Sequence, residues 1–301
     1  PIVKTFYEYP EFHPLDQQFK YNRQCDTFIV GSDQLWNWWS NRDVGTYYFF
    51  LDWDDDEHRK LAYSTSFGHD LVHYPKEMRL KIGYLLSRFD GVSVRERSGI
   101  AVCKRDFGAD AVQTIDPVFL CGMDSYAQLA NLSKVEMPSA NYVLAYILNP
   151  TDDKTKSILH IARERGIEYR IILDGQGVFT KLKETMGSEN VIDSPEVEDW
   201  LSYFLHASYV ITDSFHGSCF SVIFKKNMTI FPNVLRGKAR FDSLDKITGI
   251  GGRYVNTFEE LLESKMWLED VNHEAVEKRM EPLRIFSRNW LTENLAGPKL
   301  P

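Results

Sequence analysis

Short runs of apolar and β-branched residues recur along the chain, each bounded by polar or turn-forming residues. Stretches with apolar residues at helical spacing lie between several of them. Such runs are typical of strands buried in parallel sheets, and their alternation with helices is typical of an α/β doubly wound fold. The predicted helix 194–207 opens with Ser194-Pro195-Glu196, which supplies an N-cap, a first-turn proline and an acid. The predicted strands are 27–30, 91–94, 142–148, 169–173, 209–212 and 228–231, and the predicted helices include 75–89, 152–165 and 194–207.

A more polar, irregular segment from about Gly122 to Ala140 separates two groups of predicted strands. It predicts a junction between an N-terminal Rossmann-like domain, 1–130, and a C-terminal one, 131–270. The remaining stretch, 271–301, has helical patterning with arginines among apolar residues. It predicts a C-terminal helix that packs back across the domains.

Composition and charge limit the classes of function. The chain has 301 residues, of which 43% are hydrophobic and 26% charged, as in folded globular proteins. Its net charge of −8 and its scattered cations give no surface for a nucleic-acid backbone. No run approaches the roughly 18 apolar residues that a membrane span needs. We therefore expect a cytoplasmic protein, at most in peripheral contact with the inner face of the membrane, and no nucleic-acid partner.

The spacing of cysteines and histidines predicts no metal site. The cysteines are far apart and form no CxxC pair, so we expect reduced, mostly buried thiols without disulfides. Four of the histidines outside the motif described next lie in helix-like or loop contexts without metal-ligand spacing. The residues concerned are Cys25, Cys103, Cys121 and Cys219, and His69, His73, His160 and His206.

The densest chemical signal is Thr212-Asp213-Ser214-Phe215-His216-Gly217-Ser218, between a predicted strand and a predicted helix. Ligands of open α/β sheets bind at the carboxyl ends of strands, and helix amides there favour phosphate or carboxylate. The imidazole of His216 can donate or accept a proton near neutral pH. The alternative is that Ser214 caps the helix and His216 is an ordinary turn residue.

Two further strand ends carry polar residues. Gly31-Ser32-Asp33-Gln34 follows the first predicted strand, although Ser32 or Asp33 could also be a helix N-cap. Arg95 ends another strand, where its guanidinium could grip phosphate or carboxylate, or could pair with a structural carboxylate. Tryptophans such as Trp36, Trp38 and Trp39 are interpreted as packing residues rather than a sugar platform.

Several motifs in a specific order make the chain resemble the polysaccharide pyruvyl transferase family. They are D-T-F-I-V-G-S-D-Q-L-W-N at 26–37, Y-S-T-S-F-G at 63–68, V-S-V-R-E at 92–96, D-P-V-F-L at 116–120 and I-T-D-S-F-H-G-S at 211–218. Members of that family begin with a strand and a helix carrying an Asn-Tyr-Gly motif, which no residue before Tyr21 supplies. We therefore expect this N-terminal strand and helix to be missing from the chain; the alternative is that the protein is a divergent member of the family.

The resemblance implies two Rossmann-like domains similar to the glycosyltransferase B-type (GT-B) fold, and transfer of a pyruvyl group from phosphoenolpyruvate. The acceptor would be a sugar of a cell-surface polysaccharide or its lipid-linked precursor, in exopolysaccharide or capsule synthesis. It also implies a catalytic role for His216 and anion binding by Arg95. No cofactor or metal is expected.

Further roles complete the hypothesis. Ser214, Phe215, Gly217, Ser32 and Gln34 are assigned to substrate binding, and Asp33 to orienting or deprotonating an acceptor hydroxyl. Arg240 resembles a family position and would add a positive charge near the donor, unless it is a solvated charge at a helix start. Two rival functions stay open, a sugar-nucleotide glycosyltransferase and a catalytically silent binding protein of polysaccharide assembly. The acceptor sugar and the oligomeric state are left unspecified.

Overall fold

The computed structural model describes most of the chain. Cys25 and His73, and the segment before Tyr21, lie outside the described residues, which are 26–41, 45, 47–54, 58–72, 74–138, 141–173, 180–233 and 237–296. No helix in these ranges is both long and apolar enough to cross a bilayer.

The described chain divides into two compact units. The second comprises Ile115–Arg288, and the first comprises the described residues up to Thr114 together with those from Asn289 onward. The division therefore falls before the predicted boundary at residue 130, and the C-terminal helix, His273–Ala296, contributes residues to both units.

The predicted junction segment lies within the second unit and contains a helix, Met123–Ala130. Its apolar side is narrow: Ala130 is part of the buried core, and Tyr126 and Leu129 pack against it. Because Asp124, Ser125 and Gln128 interrupt the apolar residues of this short helix, the sequence pattern indicates an irregular segment.

The first unit contains a four-stranded sheet, in which all strands are parallel and are ordered as in the sequence. In the part of this unit that the structure describes, the strands are β1 (Thr27–Val30), β2 (Arg59–Thr65), β3 (Gly91–Val94) and β4 (Val112–Gln113), and the α-helices before Asn289 are α1 (Lys76–Leu86) and α2 (Arg97–Val102).

Strand β2 is not among the predicted strands because it opens with two cations. Lys60 is nevertheless only 1% exposed, since its ammonium lies 3.1 Å from the buried carboxylate of Asp54. A charged residue that has a partner of opposite charge can thus occupy a buried strand position, where apolar residues are usually expected.

Trp36 is fully buried in the core of the first unit, as the packing interpretation requires. It stacks on Phe50 with a centroid distance of 5.2 Å and donates its indole N–H to the Phe49 carbonyl at 2.9 Å. The same interpretation is wrong for Trp39, whose side chain is exposed. Adjacent tryptophans in a turn cannot all face the core.

The second unit contains a five-stranded parallel sheet with the order β7-β6-β5-β8-β9. Its strands are β5 (Tyr142–Ile147), β6 (Glu168–Leu173), β7 (Val191–Asp193), β8 (Tyr209–Thr212) and β9 (Asn227–Ile230). Its helices are α3 (Met123–Ala130), α4 (Asp152–Arg165), α5 (Thr180–Met186), α6 (Val197–His206), α7 (Phe215–Ile223), α8 (Lys238–Thr248), α9 (Phe258–Ser264) and α10 (His273–Ala296).

Helix α6 begins later than predicted. Its N-cap is Glu196, which has extended backbone angles and makes no side-chain capping bond. Ser194 has a left-handed φ of 45°, so it lies in a turn before the helix. The prediction that Ser194 is the N-cap was therefore wrong, because a serine followed by proline also suits a turn.

The strand order of the second unit creates a switch point. After β5, the chain places β6 and β7 on one side of β5. It then places β8 and β9 on the other side. In doubly wound sheets, the helices that follow two such strands leave the sheet in opposite directions, and ligands bind at the switch point beside the strand ends. The His216 motif follows β8 at this place.

Candidate active site

The carboxyl ends of β5 and β8 are joined by side-chain hydrogen bonds. Asp213 is fully buried and accepts from the backbone N–H groups of Leu148 and Asn149 at 2.7 and 3.0 Å. Lys154 of α4 completes the set with its ammonium 2.6 Å from the same carboxylate. Asp213 is therefore a brace that holds the loop after β5 against the start of the His216 motif.

Ser214 is the N-cap of α7. Its hydroxyl accepts the Gly217 N–H at 3.2 Å, and its backbone angles are extended, as capping requires. The alternative interpretation of Ser214 as a helix cap is thus confirmed. This bond also uses the backbone N–H of Gly217, a residue that the sequence analysis assigns to substrate binding.

Gly217 allows α7 to approach the sheet. A Cβ at this position would lie 2.3 Å from the Thr212 hydroxyl and 2.9 Å from the ring of Tyr146. Real Cβ atoms do not make such contacts, so only glycine fits. The role that the structure gives Gly217 is close packing between helix and strand.

His216 lies in the first turn of α7, and its side chain is 38% exposed. Its Nε2 atom lies 3.8 Å from Oδ2 of Asp116, whose side chain is 2% exposed. His216 therefore combines partial exposure at the switch point with a buried carboxylate beside its ring. This is an arrangement suited to proton transfer.

Arg240 of α8 lies beside the same motif. Its side chain is only 7% exposed, and the guanidinium carbon lies 5.7 Å from the ring centroid of Phe215. The alternative of a solvated helix-start charge was therefore wrong. Phe215 itself is buried and meets Phe241 edge to face, so its ring belongs to the core and supports the guanidinium.

In the first unit, Arg95 follows β3 and is buried. Its Nε donates to the Glu96 carboxylate at 3.0 Å, and Ser66 donates its hydroxyl to the same oxygen at 2.8 Å. One terminal nitrogen of Arg95 lies 3.8 Å from the Asp33 carboxylate, which is 64% exposed. The structure thus brings together the ends of β1, β2 and β3, and it shows the carboxylate pairing that was one interpretation of Arg95.

No helix begins at Ser32 or Asp33, which lie in bends followed by a turn, so the N-cap alternative was wrong. The backbone carbonyl of Asp33 instead accepts the Ser66 N–H at 3.1 Å. Gln34 accepts from the side-chain amide of Asn37 at 2.9 Å and lies against Gly68. Ser32 is half-buried in the same strand-end loop.

Cysteines and histidines form no metal centre in the part of the chain that the structure describes, where no group of three metal-ligating side chains occurs. Cys103 and Cys219 are buried free thiols, whereas Cys121 is exposed. Burial raises the pKa of the Cys103 thiol to about 12. Two of the three described thiols are therefore buried, in agreement with the expectation of mostly buried thiols.

Sequence reasoning missed the residues that support the predicted ones. Asp116 and Glu96 were each quoted within a motif but given no role, and Ser66, Asp213 and Lys154 were not assigned. A strand-end rule could have found Ser66, because it directly follows β2. A capping pattern could have found Asp116, since Asp-Pro opens the turn Pro117–Phe119.

Comparison with solved structures supports the architecture. S. aureus MnaA, solved with UDP, aligns with a TM-score of 0.56 at 9% identity, over 98% of this chain and 86% of that one. A glycosyltransferase from Rickettsia africae ESF-5 aligns with a TM-score of 0.50 at 14% identity, over 93% and 78%. UDP-GlcNAc 2-epimerase from Methanocaldococcus jannaschii aligns with a TM-score of 0.50 at 11% identity, over 90% and 79%.

These likenesses concern the fold, and they confirm the prediction of two Rossmann-like units of the GT-B type. A search of the curated proteins found no match. The family model for polysaccharide pyruvyl transferases matches residues 3–233, which include the motifs at Arg95, Asp116 and His216. The chain therefore belongs to the polysaccharide pyruvyl transferase family.

Proposed function

We propose that this protein transfers the pyruvyl group of phosphoenolpyruvate to two hydroxyls of one sugar, forming a ketal and releasing phosphate. The acceptor is a cell-surface polysaccharide or its precursor. The observation that carries the proposal is the position of His216, partly exposed at the switch point of the second unit, in a chain matched by this family.

The reaction needs a proton donor and a place for anions. A proton adds to the methylene carbon of phosphoenolpyruvate, and the central carbon takes on oxocarbenium character. One sugar hydroxyl bonds to that carbon and loses its proton, the carbon–oxygen bond to phosphate breaks, and the second hydroxyl bonds and loses its proton. Of the two hydroxyl protons that are released, one balances the proton taken up by the methylene carbon, and the other leaves on the phosphate as hydrogen phosphate.

His216 is the proposed acid and base. An imidazolium can protonate the methylene carbon, and the resulting imidazole can accept a hydroxyl proton. Arg240 supplies a buried cation near the same motif, suited to the phosphate or carboxylate of the donor. In the first unit, Arg95 is assigned an anion-binding role and Asp33 the orientation of an acceptor hydroxyl.

The remaining residues that were assigned to substrate binding differ in the role that their contacts support. Ser214 and Gly217 bond to each other as a helix cap, and Phe215 is in the core, so we propose that these three shape the site rather than bind substrate directly. Ser32 and Gln34 keep their proposed role in the strand-end loop of the first unit. No resident cofactor is part of the proposal.

The test is phosphate release from phosphoenolpyruvate with acceptors that contain galactose, mannose or glucose. We expect acceptor-dependent release by the full chain and a loss of about 100-fold or more in His216→Ala. The matched control is His206→Ala, which removes an exposed histidine at the end of α6 in the same unit. This control should keep full activity.

Two other outcomes would overturn the proposal. Transfer from a nucleotide sugar, without phosphate release from phosphoenolpyruvate, would identify a glycosyltransferase, and the solved neighbours include one glycosyltransferase and one protein solved with UDP. Binding of phosphoenolpyruvate without turnover, across the acceptor panel, would identify a silent binding protein.

A further inference from the structure

Asp116 has a carboxylate whose two oxygens face different partners. Oδ1 accepts the backbone N–H of Val118 at 3.1 Å, as the N-cap of the turn Pro117–Phe119. Oδ2 lies 3.8 Å from Nε2 of His216. The cap bond fixes the orientation of the carboxylate, so the second oxygen is aimed at the imidazole.

The surroundings hold this orientation in place. The hydroxyl oxygen of Ser287 in α10 accepts the N–H of Ile115, the residue directly before Asp116, at 2.8 Å. On the other side, Tyr126 donates its hydroxyl to the Val118 carbonyl at 2.9 Å. Ile115 and Phe119 are buried in the same core cluster as Phe215, the residue before His216. The turn and the start of α7 are therefore packed as one body.

The negative charge of the Asp116 carboxylate acts on the protonation of the His216 ring. His216 lies in the first turn of α7, where the helix dipole disfavours a positive charge. A buried aspartate beside Nε2 offsets this effect when the ring is protonated. When the ring is neutral, the carboxylate can only accept, so it selects the form in which Nε2 carries the hydrogen.

We propose that Asp116 is a positioning residue that holds Nε2 of His216 protonated, so that Nδ1 is the nitrogen that exchanges protons with the substrate. The identity of the substrate in this inference rests on the proposed function. The position of the hydrogen on the imidazole ring of His216 does not depend on that function.

In the proposed step, the Nδ1–H of the imidazolium gives its proton to the methylene carbon of the donor. The electron pair of the carbon–carbon double bond forms the new C–H bond. The ring is left neutral with Nε2–H facing Asp116, and Nδ1 then accepts the proton of the attacking sugar hydroxyl. Asp116 stays ionised throughout.

The test is the change Asp116→Asn, read by ¹⁵N NMR of the imidazole nitrogens in the full chain. The introduced amide keeps an oxygen for the Val118 N–H, and this places its NH₂ group opposite Nε2. Because that group donates, the neutral ring must present an unprotonated Nε2. We expect the neutral ring of His216 to carry hydrogen on Nε2 in the wild type and on Nδ1 in the variant. The spectrum of His216→Gln identifies the signals.

Kinetics supplies the second readout. We expect kcat for phosphate release to fall about tenfold or more in Asp116→Asn, while KM for phosphoenolpyruvate changes less than about twofold. In a His216→Ala background, Asp116→Asn should have no further effect, since it acts through the ring. The matched control is Asp153→Asn, which removes a carboxylate that accepts the Phe258 N–H at 3.2 Å in the same way. It should change neither readout.

The outcomes separate this inference from the proposed function. Hydrogen on the same ring nitrogen in wild type and Asp116→Asn overturns the inference, whatever the activity. A changed ring nitrogen in a protein that releases no phosphate supports the inference and counts against the proposed function. A loss of activity accompanied by unfolding would be visible in the NMR spectrum, and Asp116→Glu, which keeps the charge, should then retain the wild-type ring form.

Discussion

Arg95 and Glu96 form an ion pair in which each residue is only 2% exposed. Breaking such a pair from one side leaves an uncompensated buried charge. We expect Glu96→Ala to lower the free energy of unfolding of the first unit by about 3–5 kcal/mol. Urea denaturation followed by tryptophan fluorescence measures this, because Trp36 is buried in the same unit.

The control is Asp110→Ala, which breaks the exposed pair between Lys104 and Asp110, also in the first unit. Exposed pairs contribute little to stability, so its urea midpoint should match the wild type. Equal effects of Glu96→Ala and Asp110→Ala would show that the buried pair does not stabilise the unit.

At this scale the sequence was informative about which residues end strands. His216, Arg95 and Asp33 all lie where the argument from parallel strands placed them. The partners were not predictable in the same way. The approach of Asp116 to His216 depends on packing between segments about 100 residues apart in the chain, and no local pattern encodes such a contact.

Helix α7 depends on its glycine for its distance from the sheet. We expect Gly217→Ala to destabilise the second unit by about 2 kcal/mol or more, because the added Cβ would overlap Thr212 and Tyr146. We also expect phosphate release to fall, since the shift of the helix displaces His216. Thermal unfolding and the release assay measure the two effects.

Gly122→Ala is the matched control for this change. Gly122 is the N-cap of α3 in the same unit, has a φ of −76°, and a Cβ there would have no neighbour within 4 Å. It should lower the free energy of unfolding by only about 0.5 kcal/mol, because alanine is a poorer N-cap than glycine. A Gly217→Ala protein with unchanged stability would mean that α7 does not lie as close to β8 as described.

Elements with a continuous apolar run were predicted well, and α4 agrees at both ends. Its N-cap Thr151 and its left-handed Gly166 mark those ends chemically. Elements that break the pattern were missed. Strand β2 opens with charges that tertiary pairing neutralises, and β7 is a three-residue strand at the edge of its sheet, too short for any periodicity.

Over the whole molecule, stability should depend on pH through His273. Burial lowers the pKa of His273 below its ordinary value of 6.5, and Lys225, Arg253 and Lys226 lower it further, whereas Asp270 acts in the opposite direction. Between the lowered pKa and 6.5, the unfolded chain binds more protons than the folded one. The contribution of His273 to the free energy of unfolding is therefore complete above pH 6.5 and is lost as the pH falls toward the lowered pKa.

We expect His273→Gln to unfold at a urea concentration that depends less on pH between about 7.5 and about 5.5 than in the wild type. The control is His206→Gln, at an exposed position in the same unit. An identical pH dependence in wild type and His273→Gln would contradict the prediction.

The two-unit organisation was predictable from the alternation of strands and helices, but the position of the division was not. A polar segment was taken as the junction, while the division between Thr114 and Ile115 lies in a stretch with no distinctive composition. Which strands share a sheet depends on long-range pairing, which composition does not record.

All but two of the nine residues of α7 are buried. In a helix that is buried to this degree, almost every substitution alters the packing of the core. Few substitutions in α7 are therefore tolerated. Natural or directed evolution toward a new acceptor sugar must therefore work through other surfaces, above all the exposed strand-end loops. A mutagenesis library that leaves 215–223 untouched and varies those loops would keep His216, the proposed catalytic residue, while sampling new specificities.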